Sequence, residues 1–251
     1  MLHCNALRRC PELITRSILT IRVGLLMGNE SGFAESFLDS PRLEAHFAAE
    51  QRLDRFLKFQ DMNLPAPLLR AVEDLGFETP TAIQAKALPV LLGGSDLAGQ
   101  AQTGTGKTAC FLLAAMTRLT ESTRPKDGSP RCLIVAPTRE LAIQIAEDAR
   151  GLGVHSDFDV VTCYGGTGWD AQARALEAGC DIVVGTPGRL IDYCRKGILR
   201  LKRVEVFVLD EADRMFDMGF IKDIQYLFSK VPPKGRRQAL LFSATLSQSV
   251  M

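Results

Sequence analysis

The sequence predicts an α/β protein whose parallel sheet is flanked by helices on both faces. Three observations carry that prediction. Short apolar runs, each the length of a buried strand, recur from Asp96 onward. Amphipathic helical patterns lie between nearly all of them, and βαβα order requires right-handed crossovers and therefore a parallel sheet. Chemically distinctive residues follow the ends of the apolar runs, where open parallel sheets bind ligands.

The compact part begins near Phe59. The stretch "LPAPLLRAVEDLGF" sets Leu68, Leu69, Val72 and Leu75 on one helical face and stops at Gly76. The stretch "TAIQAKALPVLLGG" predicts a second helix, capped by Thr81 and ended by Gly93 and Gly94. Strands are predicted at Asp96–Gln100, Cys132–Ala136, Val160–Tyr164, Asp181–Gly185, Val204–Leu209 and Ala239–Phe242. Helices such as Arg139–Arg150 and Trp169–Ala178 connect them.

Composition narrows the class. With 251 residues, 46% hydrophobic and 24% charged, the chain reads as a globular protein with one large domain. A net charge of +1 means that any polyanion site must be local, built from a few side chains and oriented N–H groups. Seven scattered cysteines without a C-x-x-C pair fit reduced thiols in a cytoplasmic protein and argue against zinc or a disulfide framework. Residues 1–56 form an N-terminal extension expected to be poorly ordered, with a weak helical pattern from Phe37 to Phe56. Its run "LITRSILTIRVGLLM" contains two arginines and is too short and too charged to span a membrane. A transit peptide, a leader and translated sequence upstream of a start at Met27 all stay open for it.

One stretch poses a chemical question. "EVFVLDEAD" runs apolar from Val206 to Leu209 and then places Asp210, Glu211 and Asp213 at the end of a buried strand. Ionised carboxylates there are costly unless a cation meets them. An upstream loop supplies the context: "AQTGTGKTA", Ala101 to Ala109, lies between a predicted strand and a predicted helix. Gly104 and Gly106 let Ala101, Gln102, Thr103 and Thr105 curl with their N–H groups around phosphate oxygens. Lys107 reaches the β- and γ-phosphates, and the Thr108 hydroxyl is a Mg²⁺ ligand. The strict phosphate-loop pattern begins with Gly, whereas this chain has Ala101. Asp210 then holds Mg²⁺, partly through water, and Glu211 orients and deprotonates the attacking water. The pairing predicts a site that hydrolyses a nucleoside triphosphate.

The letters "DEAD" at Asp210–Asp213, with "AQTGTGKT", resemble the DEAD-box RNA helicases. Further motifs stand in that family's order: "GFETPTAIQ" with Phe59 upstream, "APTREL", Gly165 and Gly166, "TPGR" at Thr186–Arg189, and "SAT" at Ser243–Thr245. The resemblance covers residues 57 to 251 and implies a RecA-like P-loop domain, the first of two in such helicases. The second, with its arginine finger, lies outside these residues. Several stretches look most like the bacterial helicases associated with RNA degradation. Where the family usually has proline, this chain has Ala82, and a looser turn before Gln84 is expected.

The resemblance implies roles residue by residue. Gln84, whose amide both donates and accepts, would pair with the adenine edge of ATP, with Thr79 beside it. Phe59 would stack on the base; an ordinary core Phe is the competing reading. Pro137, Thr138, Arg139, Gly165, Gly166, Thr186, Pro187, Gly188 and Arg189 would contact an RNA backbone. A helix-start pairing with a neighbouring acid competes for Arg139. Asp213, Ser243, Ala244 and Thr245 would couple the nucleotide to the RNA. The implied ligands are ATP, Mg²⁺ and RNA, the implied partners are RNA-degradation proteins, and no membrane is involved. A catalytically inert RNA- or protein-binding fragment is the alternative from another class.

Overall fold

The computed structural model describes residues 58–102 and 104–245, together with the backbone of Leu19–Arg22. Among the described residues seven parallel strands form one sheet: β1 (Leu19–Arg22), β2 (Leu97–Gln100), β3 (Cys132–Val135), β4 (Val160–Cys163), β5 (Ile182–Gly185), β6 (Val206–Leu209) and β7 (Gln238–Ser243). Their order is β1-β2-β7-β6-β3-β5-β4. The six strands expected from Asp96 onward all form, within two residues of their expected ends. β1 pairs with β2 at the sheet edge, inside a segment read from sequence as an extension. The rest of that extension, including the helical pattern from Phe37 to Phe56, lies outside the described residues.

Among the described residues eight α-helices cover the sheet: α1 (Ala66–Asp74), α2 (Ala82–Leu92), α3 (Lys107–Thr120), α4 (Arg139–Leu152), α5 (Trp169–Glu177), α6 (Pro187–Arg195), α7 (Ala212–Asp217) and α8 (Ile221–Lys230). Successive strand residues point to opposite faces. Ile134, Val184 and Val208 accordingly pack against α1–α4. Leu133, Val183 and Phe207 pack against α5–α8. Both faces are thus buried, which is why the strands read as unbroken apolar runs.

Two local readings change. Leu75 is 47% exposed, because α1 ends at Asp74 and Leu75 lies past the last turn, before Gly76 at φ 73°. The turn before Gln84 is not loosened by Ala82. The Thr81 hydroxyl accepts from the Gln84 N–H and the Gln84 side chain accepts from the Thr81 N–H, a reciprocal cap that closes it. At the amino edge of the sheet, buried Arg131 and Asp181 pair at 2.7 Å and join the starts of β3 and β5. Four thiols, Cys110, Cys132, Cys163 and Cys180, are buried as expected. Burial pushes Cys110, Cys163 and Cys180 up to about 12, which makes them inert.

Candidate nucleotide and RNA site

The functional residues divide along the sheet. Phosphate-loop residues follow β2, the acids follow β6, and Ser243–Thr245 end β7; these three strands are neighbours. The RNA candidates follow β3, β4 and β5, which are neighbours on the other side. The two groups meet between β6 and β3, whose following helices α7 and α4 pack on opposite faces, the arrangement in which such sheets form a crevice.

The loop geometry follows from its glycines. Gly106 is the N-cap of α3 at φ 86°, a left-handed conformation that side chains rarely adopt. A Cβ there would also lie 2.6 Å from the Gln84 amide nitrogen. Gly104 has φ 81° with open space around it. Ala101 needs no such freedom: it is buried in the core, and its N–H donates to the Ser243 carbonyl at 2.9 Å. The departure from the strict pattern therefore costs the loop nothing. Thr105 closes it by donating its hydroxyl to the Gln102 carbonyl at 2.7 Å. Thr108 sits in the first turn of α3, half-buried, and Thr103 lies outside the described residues.

The cation facing Asp210 is Lys107 in this structure, while Arg214 pairs with Glu211 at 3.3 Å. The Lys107 ammonium lies 2.8 Å from Asp210 Oδ1 and 3.9 Å from Glu211 Oε1. Lys107 is only 4% exposed and Asp210 is fully buried. Burial raises the Asp210 carboxyl above its ordinary range, and the Lys107 charge pulls the other way. Asp210 Oδ2 is buried without a hydrogen-bond partner among the described residues. An orphaned buried carboxylate oxygen is costly, and a hard cation with oxygen ligands is the partner that suits it. Asp210 thus fits Mg²⁺, and the Thr108 hydroxyl, next in sequence to Lys107, is a second oxygen donor of the right kind. No cluster of three His, Cys, Asp or Glu residues occurs among the described residues, so the donor set is not that of a dedicated metal cage.

Glu211 caps α7 in the left-handed conformation at φ 52°, uncommon for a residue with a side chain. Such strain recurs at functional positions. Asp213 joins the strand ends: its N–H donates to Ser243 Oγ at 3.2 Å, and its carboxylate accepts from Thr245. The Ala244 carbonyl accepts from the Gln100 side chain at 3.0 Å.

Beside the loop lies a cleft of about 880 Å³, lined among others by Phe77, Thr79, Gln84, Lys107, Thr108 and Asp148. Gln84 is nearly buried, and its amide is committed within the protein: Nε2 donates to the Gly106 carbonyl at 3.0 Å and Oε1 accepts from Thr81. Phe59 requires correction. It is 1% exposed, packs in the core against Phe77 with ring centroids 6.3 Å apart, and does not line the cleft. The aromatic facing the cleft is Phe77, 38% exposed, which stands in the same motif and was not singled out by sequence. Gln144 and Asp148 of α4 also face it, and only the folded arrangement of α4 beside α1 brings them there.

On the RNA side, Thr138 caps α4 by accepting from the Leu141 N–H at 3.2 Å. Arg139 is exposed, with its guanidinium 4.8 Å from the Tyr164 ring centroid rather than on an acid. Pro137 is buried beside it. Gly165 and Gly166 are exposed after β4, and Gly166 has φ 80°. Thr186 caps α6, Pro187 starts it, and exposed Gly188 leads to Arg189. Arg189 reaches Gln172 Oε1 at 3.2 Å and is half-buried.

A family model described as DEAD/DEAH box helicase matches residues 81–251. The chain belongs to the DEAD/DEAH box helicase family. Its similarity to curated members is substantial: 51% identity over 196 residues with the ATP-dependent RNA helicase RhlB of Shewanella piezotolerans. RhlB of Pseudomonas aeruginosa is likewise 51% identical, over 198 residues. These alignments cover 77% of this chain and 45% and 50% of the relatives, so the chain spans about half their length. Among solved structures, a DEAD box protein from Methanococcus jannaschii superposes with a TM-score of 0.71 at 38% identity. That match covers 78% of this chain and 52% of the other. The α/β sheet is therefore the RecA-like domain of this helicase family.

Proposed function

We propose that this chain is the ATP-binding first domain of an RNA helicase that couples ATP hydrolysis to RNA duplex unwinding or remodelling. The observation that carries the reading is the Lys107–Asp210 pair at the mouth of the glycine loop, with Asp210 Oδ2 left unpartnered among the described residues. When bound, Mg²⁺ would draw on Asp210 and Thr108 and neutralise charge developing on the phosphates. Lys107 would exchange part of its contact with Asp210 for phosphate oxygens. Glu211 would hold the attacking water and accept its proton. Gln84 would keep the loop at its bound spacing from α2 while its remaining amide hydrogen and lone pair face adenine.

RNA would lie across Arg139, Gly165, Gly166 and Thr186–Arg189, which offer guanidinium and N–H donors to sugar and phosphate but little base discrimination. Asp213 would link the two halves, since it ties the nucleotide acids to Ser243 and Thr245. In the whole protein the RecA-like partner domain would complete the cleft and supply an arginine finger. RNA-degradation proteins are the proposed protein partners, and the cytoplasm the proposed location. No described helix is long and apolar enough to cross a membrane. The test is nucleotide binding by the purified chain, with and without Mg²⁺. Binding that ignores both Mg²⁺ and Lys107→Ala would reject the site.

A further inference from the structure

The opposite end of the sheet carries a second hollow, about 850 Å³, lined among others by Arg195, Arg200, Lys202, Arg203, Tyr226 and Lys230. It sits between the last turn of α6, the connection into β6 and the end of α8. All five cations are exposed. None of them makes an ion pair among the described residues. Arg195 and Lys230 both lie against the Tyr226 ring, 5.5 and 5.0 Å from its centroid. The acid lining the hollow is Asp127, and one of its oxygens already accepts from the Ser129 N–H at 3.2 Å.

A chain of net charge +1 that gathers five unpaired cations in one concavity creates a local field for a polyanion. Cations held together repel one another, and the Tyr226 ring offsets part of that for two of them. Three of the five are arginines, whose planar forks match phosphate oxygens in pairs. The direction of approach follows from α6. Its amino end carries Thr186–Arg189 and its last residue is Arg195. A helix of this length spans about 13 Å, a reach of a few nucleotides along a strand.

We infer that this hollow is a second RNA contact, gripping the phosphates of the segment that flanks the RNA held by the motifs at the other end of α6. The inference rests on the RNA reading above. It is sequence-independent, because phosphates carry no base information. An acidic protein segment is the rival occupant, and it would need no RNA at the far end of the helix.

The test compares the chain with a triple variant, Arg200→Gln, Lys202→Gln and Arg203→Gln, in binding fluorescent poly(U) across a salt series. Each lost phosphate contact on a single strand lowers the salt slope by about 0.7, so three should lower it by about 2. Affinity at low salt should fall about tenfold or more. Binding of the Mg²⁺–nucleotide complex should be unchanged, which reports that the variant is folded. A second variant, Arg139→Ala with Arg189→Ala, separates the two readings. If that variant weakens RNA binding and the triple variant does not, the hollow is no RNA site. If neither weakens it, or the unaltered chain fails to bind poly(U) at low salt, the RNA reading falls with it. Poly-glutamate that displaces poly(U) from the motif variant, and binds the unaltered chain more tightly than poly(U) does, would reassign the hollow to an acidic protein.

Discussion

Thr245 donates both its backbone N–H and its hydroxyl to one oxygen of Asp213, at 3.0 and 3.2 Å, across 32 residues of sequence. The other end of the same turn is held too, since the Asp213 N–H donates to Ser243 Oγ. Asp213, just after β6, and the residues that end β7 therefore form one hydrogen-bonded unit.

This unit predicts a pH dependence. Burial alone would raise the Asp213 carboxyl, but hydrogen bonds from Ser243, Arg214 and Thr245 together outweigh it and hold it below the usual 3.8. The group is thus more acidic folded than unfolded. Its contribution is present above the unfolded value and lost as pH falls through the folded one. Asp213→Ala should cost about 1 kcal/mol at neutral pH, the net worth of such bonds at a partly exposed site. The difference should shrink in strong acid. Urea unfolding at several pH values checks this, and a gap that widens with acid would contradict it.

Lys107→Met should act on stability and on binding together. Removing the lysine leaves the Asp210 carboxylate buried without its cation, at a cost of about 3 kcal/mol. Asp210 then takes up a proton in the folded state that the unfolded chain releases. Its folded value, already raised, rises further, so stability is greatest in acid and falls as pH climbs toward that value. Denaturant unfolding from mildly acidic to mildly alkaline buffer should show a steeper decline in the variant than in the unaltered chain. Triphosphate binding should be strongly weakened at every pH.

Glu211→Gln separates binding from chemistry. The amide keeps the size and the strained backbone of Glu211 but cannot accept a proton from water. Nucleotide affinity should therefore stay within about twofold, while hydrolysis by the chain joined to a second RecA-like domain should fall by at least about a hundredfold. Normal turnover in single-cycle kinetics would remove Glu211 from the mechanism.

Much of this arrangement was legible in sequence because its causes are local. Parallel strands buried on both faces leave apolar runs, and the phosphate loop needs glycines at fixed positions. What was not legible depends on distance. Phe59 and Phe77 are equally apolar, and only packing decides that Phe59 enters the core while Phe77 faces the cleft. Leu75 fits the helical stripe of α1, yet the helix ends one residue before it. Strand β1 was hidden because "LTIR" is a short, partly polar run within a basic extension, and its pairing with Leu97–Gln100 spans most of a domain in sequence.

Gln84 gives the last prediction, and the structure changes what it should report. Read from sequence, the amide belongs to adenine. In the fold, Nε2 already donates to Gly106 and Oε1 accepts from Thr81, so the same side chain fixes the phosphate loop and caps α2. Each amide group has one hydrogen or lone pair left for a base edge. Adenine offers N6–H₂ and N7 there, whereas guanine offers O6 in place of the donor. Gln84→Ala should therefore weaken ATP and GTP alike by loosening the loop, and additionally erase the preference for ATP. The ratio of the two affinities, measured by displacement of a fluorescent nucleotide, isolates the second effect from the first. An unaltered chain that binds ATP and GTP equally would leave Gln84 with the structural role alone. A variant that retains the ratio would place the discrimination elsewhere in the cleft, with Phe77 and Thr79 the nearest residues to examine.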